Sequence, residues 1–373
     1  MKILINASNL HNGGGVQVAS SFINELEYFP EISQSYFFYV SSEVHKNIRN
    51  PESFKNYHIK NTYGIKGVLN NYDLFDEFDI VFTVFGPCYY PVKGISIVGF
   101  AQPWIIYPNN DAYKLLSKKD WLKTKIKFEL QKLFFKNADH LVVELEHVKK
   151  GLIIHNIAST EDISVVYNTV ANLYFDKSLW QPLQNQKILE SNNFKIGLVS
   201  RDYSHKNIDI LPKVKEVLKN SYNLNVDFFV TLNDDEWVKK TDDFKKNIYT
   251  VGSLLSNQCP SFYEQMDAVI FPSLLECFSA TPLEAMVMEK PLFASDRAFI
   301  RDICGEYAYY FDPLDANSIA KTIYNYIEDK DMDIKFQRLT DAKQHAMNFS
   351  NAKQRALSYI QIIEIFSKNL KVN

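Results

Sequence analysis

The chain has 373 residues, of which 46% are hydrophobic and 23% charged, with a formal net charge of -3. That length is too great for one ordinary core and suits two domains of roughly 150–200 residues each. The near-neutral balance argues against a nucleic-acid partner, and no apolar run reaches the about twenty residues needed to span a bilayer.

Ile3-Leu4-Ile5 opens the chain and turns polar at Asn6, which reads as a first strand and not as a secretory signal. Behind it, Gly13, Gly14 and Gly15 precede a helical pattern from Val16 to Leu26, so the backbone there can approach a phosphate or a sugar closely. The spacing fails the dinucleotide fingerprint, because its third glycine would fall at Val18. Ile80 to Val84, Ile95 to Phe100 and Leu141 to Val143 read as buried parallel strands.

Between the last two, Tyr113 to Lys136 reads as a helix with eight lysines and two acids, Asp120 and Glu129. Leu115, Leu122, Ile126, Leu130 and Leu133 make one apolar stripe, with Trp121, Phe128 and Phe135 beside it. Two readings stand: an amphipathic helix whose stripe is core, or a peripheral surface that rests on anionic lipid.

Asn172 to Asn193 is polar, carries Pro182 and is the expected linker. The domains are therefore placed at 1–171 and 172–350, followed by a C-terminal helix at 351–373 that can pack on either domain, the N-terminal one included. Phe194 to Val199, Val226 to Leu232, Ala268 to Phe271 and Pro291 to Ala294 repeat the strand rhythm, with helices near 208–219, 282–288 and 318–327. The alternation predicts two doubly wound α/β domains, with ligands at the carboxyl ends of the strands.

The chemistry concentrates in two loops. In the first, Arg201 follows a strand and Lys206 lies five residues on. In the second, Glu276-Cys277-Phe278-Ser279-Ala280-Thr281-Pro282-Leu283-Glu284-Ala285-Met286 runs from a strand end into a helix expected to begin at Pro282. Thr281 at N-cap and Glu284 at N3 make a capping box, whereas a loop carboxylate such as Glu276 gains nothing from capping. Carboxylates accept paired hydroxyls, and a helix start favours an anion.

The second loop resembles the E-x7-E signature of retaining glycosyltransferase family 4, written E-G-F-G-x-x-x-x-E-A-M. Glu276, Phe278, Glu284 and Ala285-Met286 match, while Cys277 and Ser279 replace glycines, so a positive φ at either would be costly. Val165-Val166-Tyr167-Asn168-Thr169-Val170 and Val251-Gly252-Ser253-Leu254 extend the likeness.

The resemblance implies a GT-B fold, two facing Rossmann-like doubly wound domains with an interdomain cleft. It also implies a nucleotide diphosphate sugar as donor, transfer with retention, and a carbohydrate acceptor such as a lipid-linked O-antigen or capsule precursor. On this reading Arg201 and Lys206 hold the diphosphate, Glu276 positions sugar hydroxyls and Glu284 holds the ribose. Gly13, Gly14, Gly15, Cys277, Phe278, Ser279 and Ala280 line the donor. Where many relatives carry His-Asp, this chain has Ala101-Gln102, leaving Gln102 and Trp104 as acceptor-side candidates.

Asp331-Met332-Asp333 fits the D-x-D metal motif of another transferase fold but lies in an acidic connection, so no essential metal or other cofactor is expected. Cys88, Cys259, Cys277 and Cys304 form no C-x-x-C pair and are expected as thiols in a cytoplasmic protein. Two alternatives remain open: an epimerase or hydrolase on the same scaffold, and a non-catalytic sugar-binding partner of a glycan assembly complex.

Overall fold

The computed structural model describes residues 1–11, 13–63 and 73–372. Asn12, beside the three glycines, lies outside the described residues. The chain divides into two compact units. Met1–Pro108, Leu122–Thr169 and Ser350–Asn373 form the first, and Asn109–Trp121 with Val170–Phe349 form the second.

The first unit is built on seven parallel strands. They are β1 (Ile3–Ala7), β2 (Phe37–Val40), β3 (Asn56–Ile59), β4 (Ile80–Thr83), β5 (Ile95–Gly99), β6 (His140–Val143) and β7 (Ile163–Val165), in the order β3-β2-β1-β4-β5-β6-β7. Register is set by pairs such as Leu4 with Phe37 and Ile3 with Ile80. All five residues of β1 and all four of β4 are buried, because helices cover both faces of the sheet.

Phe22, Ile23 and Leu26 of the helix Gly13–Leu26 share this core with Tyr359, Ile360 and Ile363 of the final helix, Ala352–Val372. A polar bolt accompanies that packing. Arg355, 2% exposed, donates to Ser21 Oγ at 2.7 Å and to Asn168 Oδ1, while Asn168 donates to Glu144 Oε1 at 2.6 Å.

Six parallel strands make the second unit: β8 (Phe194–Leu198), β9 (Val226–Val230), β10 (Tyr249–Thr250), β11 (Ala268–Phe271), β12 (Leu292–Ser295) and β13 (Tyr309–Phe311). Their order is β10-β9-β8-β11-β12-β13. Gly197 in β8 admits Met266, whose Cγ would lie 2.6 Å from a Cβ at that position. Chain order reverses between β8 and β11, the place where open α/β sheets part their loops.

Two expectations change. The pattern from Tyr113 to Lys136 is not one helix: a 3-10 turn at Asp111–Leu115 precedes the helix Lys118–Lys136. Residues 109–121 belong with the second unit, a placement that no local pattern marks. Nor is the leucine stripe core. Leu122, Ile126, Leu130 and Leu133 are exposed, while Phe128 and Phe135 are buried. The larger rings take the inward face, Phe135 against Phe100 at 4.6 Å and Phe128 stacked with Trp104 at 5.8 Å.

Candidate functional site

The loop leaving β8 and the loop leaving β11 meet at the reversal of strand order. Lys206 Nζ donates to Glu276 Oε1 at 2.5 Å, and Ser273 Oγ donates to the same oxygen at 2.7 Å. The loops are also joined through backbone. His205 O accepts from Leu274 N at 2.7 Å and from Ser273 Oγ at 3.2 Å. Asn207, at φ 55°, turns the first loop back and donates to Pro313 O at 2.7 Å.

Glu276 is 7% exposed, and its carboxylate is held by a cation and a hydroxyl together. Burying a carboxylate is costly unless such partners accompany it. Burial holds the neighbouring His205 imidazole down at a pKa of about 4, so it is neutral at physiological pH and adds no competing charge.

Arg201 is engaged as well. Its Nη2 lies 3.0 Å from Glu236 Oε2 and its Nη1 donates to Ser253 Oγ at 3.2 Å. Glu236 is placed by a capping box with Asn233, and it also accepts Asp202 N at 3.0 Å. The sequence reading missed Glu236, although the N-x-x-E pattern that places it is legible. It also gave Ser273, which stands three residues before Glu276, no role of its own.

The capping box expected at Thr281 and Glu284 does not form. The helix is Ala280–Val287, with Ser279 at N-cap making no side-chain cap bond. Thr281 instead donates to Val199 O at 3.3 Å. Starting two residues early carries Glu284 past N3, and Tyr263 donates its phenol to Glu284 Oε2 at 2.9 Å. Burial raises the Glu284 pKa, while bonds from Tyr263 and Tyr174 oppose the rise.

The two glycine replacements cost no strain. Neither Cys277 nor Ser279 has positive φ; among the described residues the non-glycine positions that do are Asn156, Asn207, Asn223 and Glu289. Cys277 is buried, Phe278 half-buried, and Ala280 is the first helical residue.

The remaining candidates lie in the first unit. Gly13 has φ +68°, and open space surrounds the Cβ positions of Gly13 and Gly14. A Cβ on Gly15 would press Leu10 at 3.3 Å. Gln102 sits at the N-cap of Pro103–Ile106 without a cap bond, and Trp104 is the second residue of that helix. Asp331 of the D-x-D stretch caps the helix Met332–Met347 by accepting Ile334 N at 3.1 Å, a local structural duty.

Residues 181–344 match the family model of glycosyl transferases group 1. The match lies within the unit that carries Arg201, Lys206, Glu276 and Glu284. The O-antigen chain mannosyltransferase RfbU of Salmonella typhimurium is 26% identical over 201 residues, 52% of this chain and 53% of RfbU. The capsular polysaccharide biosynthesis glycosyltransferase CapM of Staphylococcus aureus is 23% identical over 217 residues, 54% of this chain and 56% of CapM. The chain thus spans about half the length of the curated relatives it matches.

Solved structures align over almost the whole chain. A glycosyltransferase from Rickettsia africae superposes with a TM-score of 0.70 at 16% identity, over 99% of both chains. Anabaena HepE, in complex with UDP and glucose, gives 0.66 at 13%, over 97% of this chain and 99% of HepE. At these identities the likeness shows the fold, a GT-B fold of two Rossmann-like parallel-sheet units.

Proposed function

We propose that this chain transfers a hexosyl group from a nucleotide diphosphate sugar to a carbohydrate hydroxyl, with retention of anomeric configuration. The observation that carries the reading is the Lys206–Glu276 pair at the strand-order reversal of the second unit, with Arg201 on the same loop as Lys206. A cation and a carboxylate held together there suit a substrate with an anionic end and a hydroxyl-bearing end.

The anionic end competes for Lys206 and Arg201, now held by Glu276 and Glu236. As Lys206 turns to the diphosphate, Glu276 is released to accept two sugar hydroxyls. Negative charge grows on the diphosphate as the glycosidic bond breaks. One cation about 4 Å away at an effective dielectric of 20 contributes on the order of 4 kcal/mol gross. The part expressed only in the transition state accelerates the reaction.

On this reading the two cations supply the stabilisation without a metal. Attack on the face that the leaving group departs lets a phosphate oxygen take the acceptor proton, so the reading requires no side-chain base. Glu284 is the proposed ribose ligand, and the first turn of Gly13–Leu26 the proposed contact for phosphate.

The names of RfbU and CapM support a surface-glycan acceptor, which we take to be lipid-linked. Four cysteines outside any disulfide fit a reducing, cytoplasmic setting. Among the described residues no helix is long and apolar enough to cross a membrane.

A thermal-shift panel of UDP-, GDP-, ADP- and dTDP-sugars tests the donor, since a ligand at a hundred times its Kd adds about 2.7 kcal/mol. Stabilisation by one class, followed by donor consumption only when a glycan acceptor is present, is the expected result. Consumption in buffer alone would point to hydrolysis or epimerisation. Silence across the panel would remove the donor site.

A further inference from the structure

The loop leaving β8 carries both proposed diphosphate ligands, Arg201 and Lys206, and the segment that follows β9 holds it from one side. In that segment the short helix Asp234–Val238 leads to Lys240, a lysine only 7% exposed. Burying an ammonium is costly, and lysine is rarely buried without partners. Lys240 has two. Its Nζ donates to Asp202 Oδ1 at 2.6 Å and to Asp209 Oδ1 at 2.7 Å. The ring of Phe244 lies 5.0 Å from the same ammonium and helps to fix its place.

Where these carboxylates stand in the chain matters more than their charge. Asp202 directly follows Arg201, and Asp209 stands three residues beyond Lys206. One ammonium therefore bridges the beginning and the end of the loop, with Lys206 between them. Glu236 acts on the same stretch, accepting Asp202 N at 3.0 Å and pairing with Arg201 at 3.0 Å. On the other side Leu274 N donates to His205 O at 2.7 Å, and Lys206 reaches Glu276. The loop is thus tied to the connections that leave β9 and β11, the two strands that flank β8.

Replacing a buried ion pair by apolar side chains of similar volume is often neutral or stabilising, so stability alone does not account for this cluster. An apolar side chain could fill the space, but it could not fix the distance between residues 202 and 209. We infer that Lys240 is a positioning residue, a role that rests on the donor reading of the loop it holds. Through Asp202 and Asp209 it keeps residues 201–209 in the shape that presents Arg201 and Lys206 to one diphosphate. Lys240 itself touches no substrate.

Lys240→Met keeps the length of the side chain and removes the cation. Calorimetric titration with UDP, GDP, ADP and dTDP, well below the melting temperature of each variant, reads the consequence. The wild type is expected to bind at least one of the four. Lys240→Met should weaken that binding by about fivefold or more, the scale of a change that reaches a ligand through other residues. Amide exchange through 201–209 in the nucleotide-free protein should become faster. Melting should fall too, because Asp202 loses its partner in a partly buried place. Adding Asp202→Asn to Lys240→Met removes the stranded charge. Melting is then expected to recover, while binding stays weak because the bridge from 202 to 209 is still missing.

Wild-type exchange and wild-type affinity in Lys240→Met would overturn the inference. So would affinity that returns together with melting in the double variant, since Lys240 would then only balance charge. A wild type that binds none of the four nucleotides would remove the donor reading itself, and the positioning role with it.

Discussion

Tyr263 and Glu284 form a hydrogen bond of 2.9 Å, with the phenol fully buried and the carboxylate one turn inside its helix. The residue proposed to hold the ribose is thus oriented by a tyrosine rather than spent on helix capping. Glu284→Gln preserves an acceptor for Tyr263 but removes the charge. We predict near-wild-type melting and a nucleotide Kd raised about tenfold, since charge-assisted bonds are roughly twice as strong as neutral ones. Calorimetric titration with the nucleotide found in the thermal-shift panel checks this, and an unchanged Kd would make Glu284 purely structural.

Lys206→Ala is predicted to lower kcat by about a hundredfold or more, the scale of losing one group that stabilises transition-state charge. It also leaves Glu276 without its cation in a buried setting, so some stability should be lost with it. Lys206→Met combined with Glu276→Gln removes both charges. This variant should melt nearer to wild type than Lys206→Ala while remaining inactive. Retained turnover in the double variant would separate the pair from catalysis.

Burial raises the Glu144 pKa to about 7 from 4.5, against the opposing bond from Asn168 and the charge of Arg355. The folded state therefore resists ionising Glu144, and the sign follows. The contribution of Glu144 to stability is fully present below pH 4.5, is lost as pH rises from 4.5 to about 7, and is constant above that. The full span is on the order of 3 kcal/mol. Glu144→Gln keeps an acceptor for Asn168 and should flatten this dependence. Urea unfolding of both proteins at several pH values measures the slopes, and parallel slopes would contradict the assignment.

Arg297 pairs with Asp111 at 2.8 Å and so ties residues 109–121 into the second unit. Both side chains are about a quarter exposed, so Arg297→Ala should cost no more than about 1 kcal/mol globally. Locally the effect should be larger. Faster amide exchange through 109–121 and earlier tryptic cleavage after Lys114 are expected, and unchanged exchange would show that other contacts hold the segment.

The strands that the sequence reveals are those buried on both faces, such as β4 and β11, which read Ile-Val-Phe-Thr and Ala-Val-Ile-Phe. Those it hides are short or exposed. β3 is Asn-Tyr-His-Ile at a sheet edge, and β10 has two residues. The placing of charge at strand ends was legible, because Arg201, Lys206 and Glu276 lie in the loops that follow β8 and β11. The displaced helix start was not. Thr281 and Pro282 are sound capping residues by local preference, and tertiary bonds to Val199 and Tyr263 overrode that preference.

Sequence alone determined which residues carry charge beside each strand end, because a parallel strand buried on both faces ends in a loop that a pattern of residue types can mark. It could not determine which partner each charge takes. Lys206 meets Glu276, and Arg201 meets Glu236, only because β8 lies between β9 and β11 in the sheet. Nor could it say which face of the helix Lys118–Lys136 is buried. Leucine and phenylalanine are equally apolar on paper, and packing against Phe100 and Trp104 decides which of them meets water.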